Sequence, residues 1–309
     1  MYRSNVFGGM ISLSLIVAVA LGCWKGSPEP SSTAPANYSS TPSSTNKSNL
    51  QTNENKPMEE KNKSGGFSAN MPAGFVEPTD DVGKKLLREY GAFFVARGGA
   101  TPPTKIVFKD DAEVSAFQSK LQKSSESIGG FTLELQAAAM DDLRKAIVEG
   151  KSQSLSISPR DKDSAKRTYN ETVGLWASRV EPALKHWVSN GKIAQADADR
   201  IKGMSPYEQV PEILKLEEKG IYFSKDLSKS IIYSVAPPGT SQHLSMLALD
   251  VKEFENPQVR ALLAKYKWYQ TVVSDLPHFT YLGVEESGLS GLGLKKVTDG
   301  GRTFWVPDI

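Results

Sequence analysis

Histidine is scarce in this chain, with three residues in 309. Cysteine is scarcer: Cys23 stands alone, which excludes an intramolecular disulfide and any thiolate zinc cluster. An excess of one charge is missing too. Against 35 Asp and Glu there are 37 Lys and Arg, a formal net charge of +2, so the balance gives no reason to expect nucleic acid as a partner. Neither an internal repeat nor a Ser-His-Asp set is found. The glycine-rich stretch Gly288 to Gly293 does not lie between a strand and a helix, as a phosphate cradle requires, and reads as a loop. The longest apolar stretch, Val6 to Ala20, falls short of the roughly 20 residues that span a bilayer. A metal site in such a chain has to be built from histidine and carboxylate.

Two short stretches offer that set. In Pro237-Pro238-Gly239-Thr240-Ser241-Gln242-His243-Leu244-Ser245-Met246-Leu247-Ala248-Leu249-Asp250, the histidine precedes the aspartate by seven positions. In Asp275-Leu276-Pro277-His278-Phe279-Thr280-Tyr281-Leu282-Gly283, an aspartate precedes the histidine by three. Two imidazoles and one carboxylate can hold zinc and leave a coordination position open for water. A further carboxylate near that water can serve as general base. The third histidine, His186, has no partner at ligand spacing and reads as an ordinary structural residue.

At these residues the sequence resembles the zinc D,D-peptidases of the VanY and D-Ala-D-Ala carboxypeptidase family, whose fold is shared with the hedgehog signalling domain. Ser241, His243 and Asp250 match the first motif, with Ala248 as the usual small residue and Met246 where glycine is usual. Asp275, His278 and Phe279 match the second. Aspartate where the VanY branch has glutamate, followed by Pro-His-Phe, looks more like the phage endolysin branch. The resemblance implies that His243, Asp250 and His278 ligate Zn2+ and that Asp275 is the catalytic base. It also offers Arg160. In the family a strand ends in a motif whose arginine helps hold substrate, and Ser158-Pro159-Arg160 is similar in placement while departing at the middle residues. A guanidinium there would grip a carboxylate by a two-pronged contact.

The N-terminus reads as a targeting segment. Arg3 gives the positive start, and Ala20-Leu21-Gly22-Cys23 resembles a bacterial lipobox, with Ala20 in the place usually held by leucine. The expectation is a lipoprotein signal peptide over 1–22 and lipidation of Cys23. From there to residue 66 the chain is Ser, Thr, Pro, Asn and Lys, too polar to offset its ordering entropy, so a disordered tether of about 35–40 Å root-mean-square span is expected. Residues 67–309 are then a zinc D,D-peptidase-like domain, with a helical part over 67–150 and a catalytic part over 151–309. The expected location is the bacterial cell envelope, on the outer membrane facing the periplasm in a diderm.

Within that domain the apolar spacing predicts helices over Asp80–Ala96, Asp111–Leu121, Leu133–Val148, Asp163–Val188, Gln195–Ile201, Tyr207–Lys219 and Asn256–Tyr266. Pro182 is expected to bend or divide the long one. Strands are expected at Lys105–Phe108, Ser154–Ser158, Ile221–Phe223, Ser230–Ala236, Met246–Val251, Trp268–Val273 and His278–Tyr281, with Leu294–Val297 and Thr303–Val306 closing the sheet. The fold class is α+β, a small antiparallel sheet carrying the zinc site and packed with several helices. The function this implies is hydrolysis of peptidoglycan stem peptides, as a D-Ala-D-Ala carboxypeptidase. Alternatives are an endopeptidase of the same chemistry and a non-enzymatic, zinc-containing wall-binding lipoprotein.

Overall fold

The computed structural model describes residues 66–309. The expected signal peptide, Cys23 and the tether lie outside the described residues, Gly66 apart. Helix α1 (Asp81–Tyr90) starts where the Asp80 carboxylate accepts a hydrogen bond from Gly83 N at 2.8 Å, an N-cap. It buries Leu86, Leu87 and Tyr90 and tightens into a 3-10 turn, Gly91–Val95, that is buried throughout. Asp110 caps α2 (Asp111–Gln118) in the same way.

Strands β1 (Lys123–Ile128) and β2 (Phe131–Gln136) pair antiparallel, and α3 (Ala137–Ser152) follows directly. The helix expected from Leu133 therefore starts four residues later. Gly129 and Gly130 are both left-handed, at φ +60° and +87°, and such a pair makes the two-residue turn that fits a hairpin. Helix α4 (Tyr169–Ser189) opens on a capping box: Glu171 N donates to Thr168 Oγ1, and Thr168 N donates to Glu171 Oε2. It runs on through Pro182, which sits on the exposed side where water can take the freed carbonyl, while Trp176, Val180, Ala183 and Leu184 face inward. Helices α5 (Gln195–Lys202) and α6 (Gln209–Glu217) pack on that face.

The strands that matter come next: β3 (Ala248–Asp250), then helix α7 (Pro257–Lys265), β4 (Trp268–Tyr269) and β5 (His278–Tyr281). They form one antiparallel sheet in the order β3-β5-β4. Its register sets Asp250 opposite His278 and Ala248 opposite Thr280. Leu249 stands opposite Phe279, and Trp268 opposite Tyr281. Because side chains alternate along a strand, the first two pairs share one face and the last two the other. The apolar face joins α3, α7 and β2 in the larger core, and a second core gathers around α4, α5 and α6.

Several expected strands are absent. Lys105–Phe108 and Ile221–Phe223 are irregular, and Ser230–Ala236 contains a 3-10 turn, Ile231–Tyr233, because buried Glu217 accepts Ile231 N and holds that backbone in place of a strand partner. Ser154–Ser158 is no strand either. Ser154 is left-handed at φ +59°, and only Pro159 makes a bridge, to Val251 just past the end of β3; lacking an N–H, proline cannot extend a ladder there. The last two strands, β6 (Leu294–Asp299) and β7 (Arg302–Pro307), pair with each other as a separate hairpin rather than closing the sheet. Among the described residues no helix is long and apolar enough to cross a membrane.

Candidate metal centre

His243 lies in a short 3-10 helix, Gln242–Ser245, at the end of the Pro237-Pro238-Gly239 loop. That loop is pinned where Phe108 N donates to Gly239 O at 2.9 Å. Gly239 has φ +79°, and a Cβ on it would lie 2.0 Å from Phe108 O, so no other residue allows this approach. The 3-10 helix ends on Met246, buried and left-handed at φ +59°. The glycine usual at this position in the resembled family would adopt that conformation without strain.

The metal-ligand candidates converge. Asp250 Oδ1 lies 3.4 Å from His243 Nε2 and 3.2 Å from His278 Nδ1, and all three residues are buried. The proton positions follow from the surrounding bonds. His243 Nδ1 is 2.8 Å from the Ala165 carbonyl, which can only accept, so that nitrogen carries the hydrogen. Burial first, and then the Arg167 charge, push the His243 pKa down to about 4, so the ring is neutral near pH 7 and Nε2 presents a lone pair. That Nε2 is a buried atom with no hydrogen-bond partner.

His278 is oriented by Gln242. The Gln242 amide nitrogen donates to Tyr90 O at 2.8 Å, which fixes its oxygen as the end facing His278 Nε2 at 3.1 Å. Thr280 Oγ1 donates to the same oxygen. His278 Nε2 thus carries the hydrogen, and in the neutral ring Nδ1 turns a lone pair towards Asp250. Two nitrogen lone pairs aimed at one carboxylate oxygen from 3.2 and 3.4 Å are repulsive towards it unless a cation lies among them. Ligands about 2.0–2.1 Å from a tetrahedral zinc stand about 3.3–3.4 Å apart, which the two oxygen–nitrogen separations match, and the three ligand atoms all lie within 4.8 Å of one another. Carbonyl and amide partners behind metal-binding histidines are the usual orienting layer.

The other oxygen of Asp250, Oδ2, is held by Arg167 Nη2 at 2.8 Å. Arg167 immediately precedes the N-cap of α4, so the capping box places it. A cleft of about 910 Å³ opens over the centre. Ser241, Arg160 and Asp275 line it. Asp275 sits in the turn before β5, closed by His278 N donating to Asp275 O at 3.2 Å. Its carboxylate makes no hydrogen bond or ion pair with any described residue. Desolvation raises its pKa, His278 opposes the rise, and Asp250 adds to it.

Arg160 is exposed, with its backbone N–H on Asp250 O at 3.1 Å. The structure thus gathers all five residues picked out by the sequence into one cleft. His186 is exposed elsewhere, against Asn190 and Trp187.

Three contributors were not legible beforehand. Gln242 had one signal, its place next to His243, and Thr280 had another, two residues beyond His278 and so on the same strand face. Arg167 had none, since a lone arginine before a helix is usually a surface residue. The neighbouring Asp161 and Asp163 also line the cleft, and Asp163 is pushed up to about 6, first by its hydrogen bond to Asp161 and then by burial.

No protein-family model matches the chain, and no curated protein does. Among solved structures, the chain is similar to a zinc-bound mutant of the vancomycin resistance D,D-pentapeptidase VanY from a VanB-type resistance cassette. The likeness covers 53% of this chain and 82% of that one, at 13% identity and a TM-score of 0.31.

Proposed function

We propose that this chain is a zinc-dependent peptidase acting on peptidoglycan stem peptides, with release of a terminal D-alanine as its leading reaction. The observation that carries this is the convergence of two imidazole lone pairs on one carboxylate oxygen beside Asp275, a carboxylate free of partners. The two sequence motifs supply the substrate class. His243, Asp250 and His278 would hold the metal, which when bound supplies a Lewis acid for the scissile carbonyl and lowers the pKa of water towards neutrality. Asp275 takes a proton from the water as its oxygen adds to the carbonyl carbon. When the C–N bond breaks, Asp275 gives that proton to the departing amine. Its raised pKa suits both halves of the task. Arg160, on the same cleft wall, receives the terminal carboxylate of the substrate through a two-pronged contact.

An internal cut is the second reading, favoured by the endolysin-like run Asp275-Leu276-Pro277-His278-Phe279. Mass spectrometry of products from defined muropeptides separates the two. The expected outcome is D-alanine released from a pentapeptide stem, with much weaker cleavage once its terminus is amidated. Asp275→Asn should keep zinc and lose roughly 10²–10⁴ in rate. Internal products, or equal cleavage of the amide, would put the endopeptidase in place of this reading; normal turnover by Asp275→Asn would remove that residue from the chemistry. A lipid on Cys23 belongs to the same proposal, since it would hold the enzyme at the envelope. Wild type should partition with membranes and Cys23→Ser should not; a wild-type N-terminus without acyl groups would refute the anchor.

A further inference from the structure

The cleft over the metal centre extends well past the ligands, and its far wall comes from α4 and residues 225–236. On that wall stand three cations, Arg179, Lys225 and Lys229, and none is ion-paired with any described residue. Arg179 is half-buried and the two lysines are exposed, so all three can be reached by a bound molecule.

Serines hold the guanidinium. Arg179 Nε donates to Ser234 Oγ at 3.1 Å and Nη1 to Ser178 Oγ at 2.8 Å, which leaves Nη2 without a partner. Neutral hydroxyls fix the group in place and leave its charge uncompensated. Lys225 N donates to the same Ser234 Oγ at 3.3 Å, which ties the lysine's backbone to Arg179. With two donors already on it, Ser234 Oγ still has its own hydrogen to give. A guanidinium nitrogen, a hydroxyl and two ammonium groups are all donors here, so what fits among them is a negatively charged acceptor. The carboxylates of the cleft do not supply it. Asp226 accepts from Ser224 Oγ at 2.7 Å and Ser228 N at 3.3 Å, Asp161 and Asp163 are bonded to each other, and Asp250 is held by Arg167.

Distance sets where on a substrate that charge would lie. Arg167, on the Asp250 carboxylate, precedes the N-cap of α4, and Arg179 is three turns on, roughly 16 Å along the axis. Helix side chains lean towards the N-terminus, so this one reaches back towards the metal end. An extended peptide covers about 3.4 Å per residue, which puts the charge about three residues from the bond. A carboxypeptidase substrate has a single residue beyond that bond, so the group has to lie on the amino-terminal side.

We infer that Arg179, Ser234 and the two lysines bind a carboxylate about three residues before the bond that is cut. In a stem peptide that group is the free α-carboxylate of a glutamate linked through its side chain. The inference rests on the peptidase reading for the identity of the peptide, and it makes the enzyme selective for stems whose glutamate is not amidated.

The test uses a pair of pentapeptide stems with lysine as the middle residue, one carrying the glutamate α-carboxylate and the other its amide. On the whole zinc-loaded protein, kcat/KM should favour the free acid by about tenfold, the worth of one charge-assisted contact. Arg179→Gln should bring that ratio to about one and Arg179→Lys should restore part of it, a pattern that lost packing alone would not give. Lys225→Gln combined with Lys229→Gln, at exposed positions where folding is not at stake, should lower the ratio as well. Calorimetry with the tripeptide stems that end before the D-alanines separates this inference from the peptidase reading. If neither pentapeptide is cut, the peptidase reading falls, while a free-acid tripeptide that binds more tightly than its amide, and loses that advantage in Arg179→Gln, keeps the subsite. Equal kcat/KM for the two pentapeptides, or a preference kept in Arg179→Gln, would overturn the inference and leave the peptidase standing. Where nothing is cut, equal binding of the two tripeptides would overturn it too.

Discussion

Asp142 and Asp250 are both buried carboxylates close to the same sheet, and they differ in whether their surroundings are complete. Asp142 accepts from Tyr281 Oη at 2.8 Å and ion-pairs with Lys145 at 2.7 Å and Lys267 at 3.1 Å. Burial works to raise its pKa, and these donors outweigh it. Each partner is a donor, so the cluster closes on itself. Asp250 has one such partner, Arg167, on one oxygen, while its other oxygen faces two histidine nitrogens that, in neutral rings, have no hydrogen to give. Both carboxylates are shielded from solvent and both have a cationic partner. The direction in which the neighbours' protons point is what separates a structural carboxylate from a candidate metal ligand.

The largest effect should come from neutralising each in turn. Asp250→Asn, like His243→Ala or His278→Ala, is expected to take zinc content from about one per chain to near none, leaving the far-UV dichroism in place. Asp142→Asn should do the reverse, keeping the zinc but costing roughly 1–3 kcal/mol by leaving its lysines and Tyr281 poorly matched. Denaturant unfolding and metal analysis on both variants test the comparison. Full zinc in Asp250→Asn would erase the distinction. A chelator should likewise empty the site and leave a folded chain, since a core of this size does not rest on one ion.

Acidity gives a smaller effect that sharpens the same contrast. In the metal-free protein His243 titrates near 4, below the ordinary 6.5 it recovers on unfolding. The unfolded chain therefore binds more protons between those values, so this residue's contribution to stability is full above about pH 6.5 and is lost as pH falls towards 4. An NMR titration of the His243 ring in chelator should find it neutral at pH 5, and a ring already protonated there would contradict the lone-pair assignment.

The smallest effect concerns the backbone that delivers His243. Glycine at Met246 relieves a left-handed strain of about 1–2 kcal/mol, whereas alanine does not, and both empty the same buried space. Met246→Gly should thus unfold at higher denaturant than Met246→Ala, by about 1 kcal/mol; the opposite order would show that the left-handed turn is not retained.

Much of the centre was legible in the sequence because spacing and chemistry agreed there. With so few histidines, two standing at fixed distances from aspartates narrow the choice, and strand alternation carries His278 and Thr280 to one face. The β1–β2 hairpin was marked by Gly129-Gly130, yet the apolar residues from Leu133 onward fit a helix equally well. Ser154–Ser158 alternates like a strand, and neither the left-handed Ser154 nor the missing N–H of Pro159 shows in a hydrophobic pattern. Arg167 and the Ala165 carbonyl could not be read at all, because their roles arise only when a distant segment folds over the sheet.

That distance sets a timetable. Asp250 and His278 are 28 positions apart, and the groups that orient the ligands come from 78 and 83 positions away. Nothing about the site exists before β3 has found β5 and the segment ahead of α4 has closed over both. In small zinc modules the ion gathers nearby ligands and organises the chain. Here the chain has to be organised first, so under the proposed function the ion would arrive as a late guest in a finished room, and a cell short of zinc would accumulate intact protein waiting to be loaded.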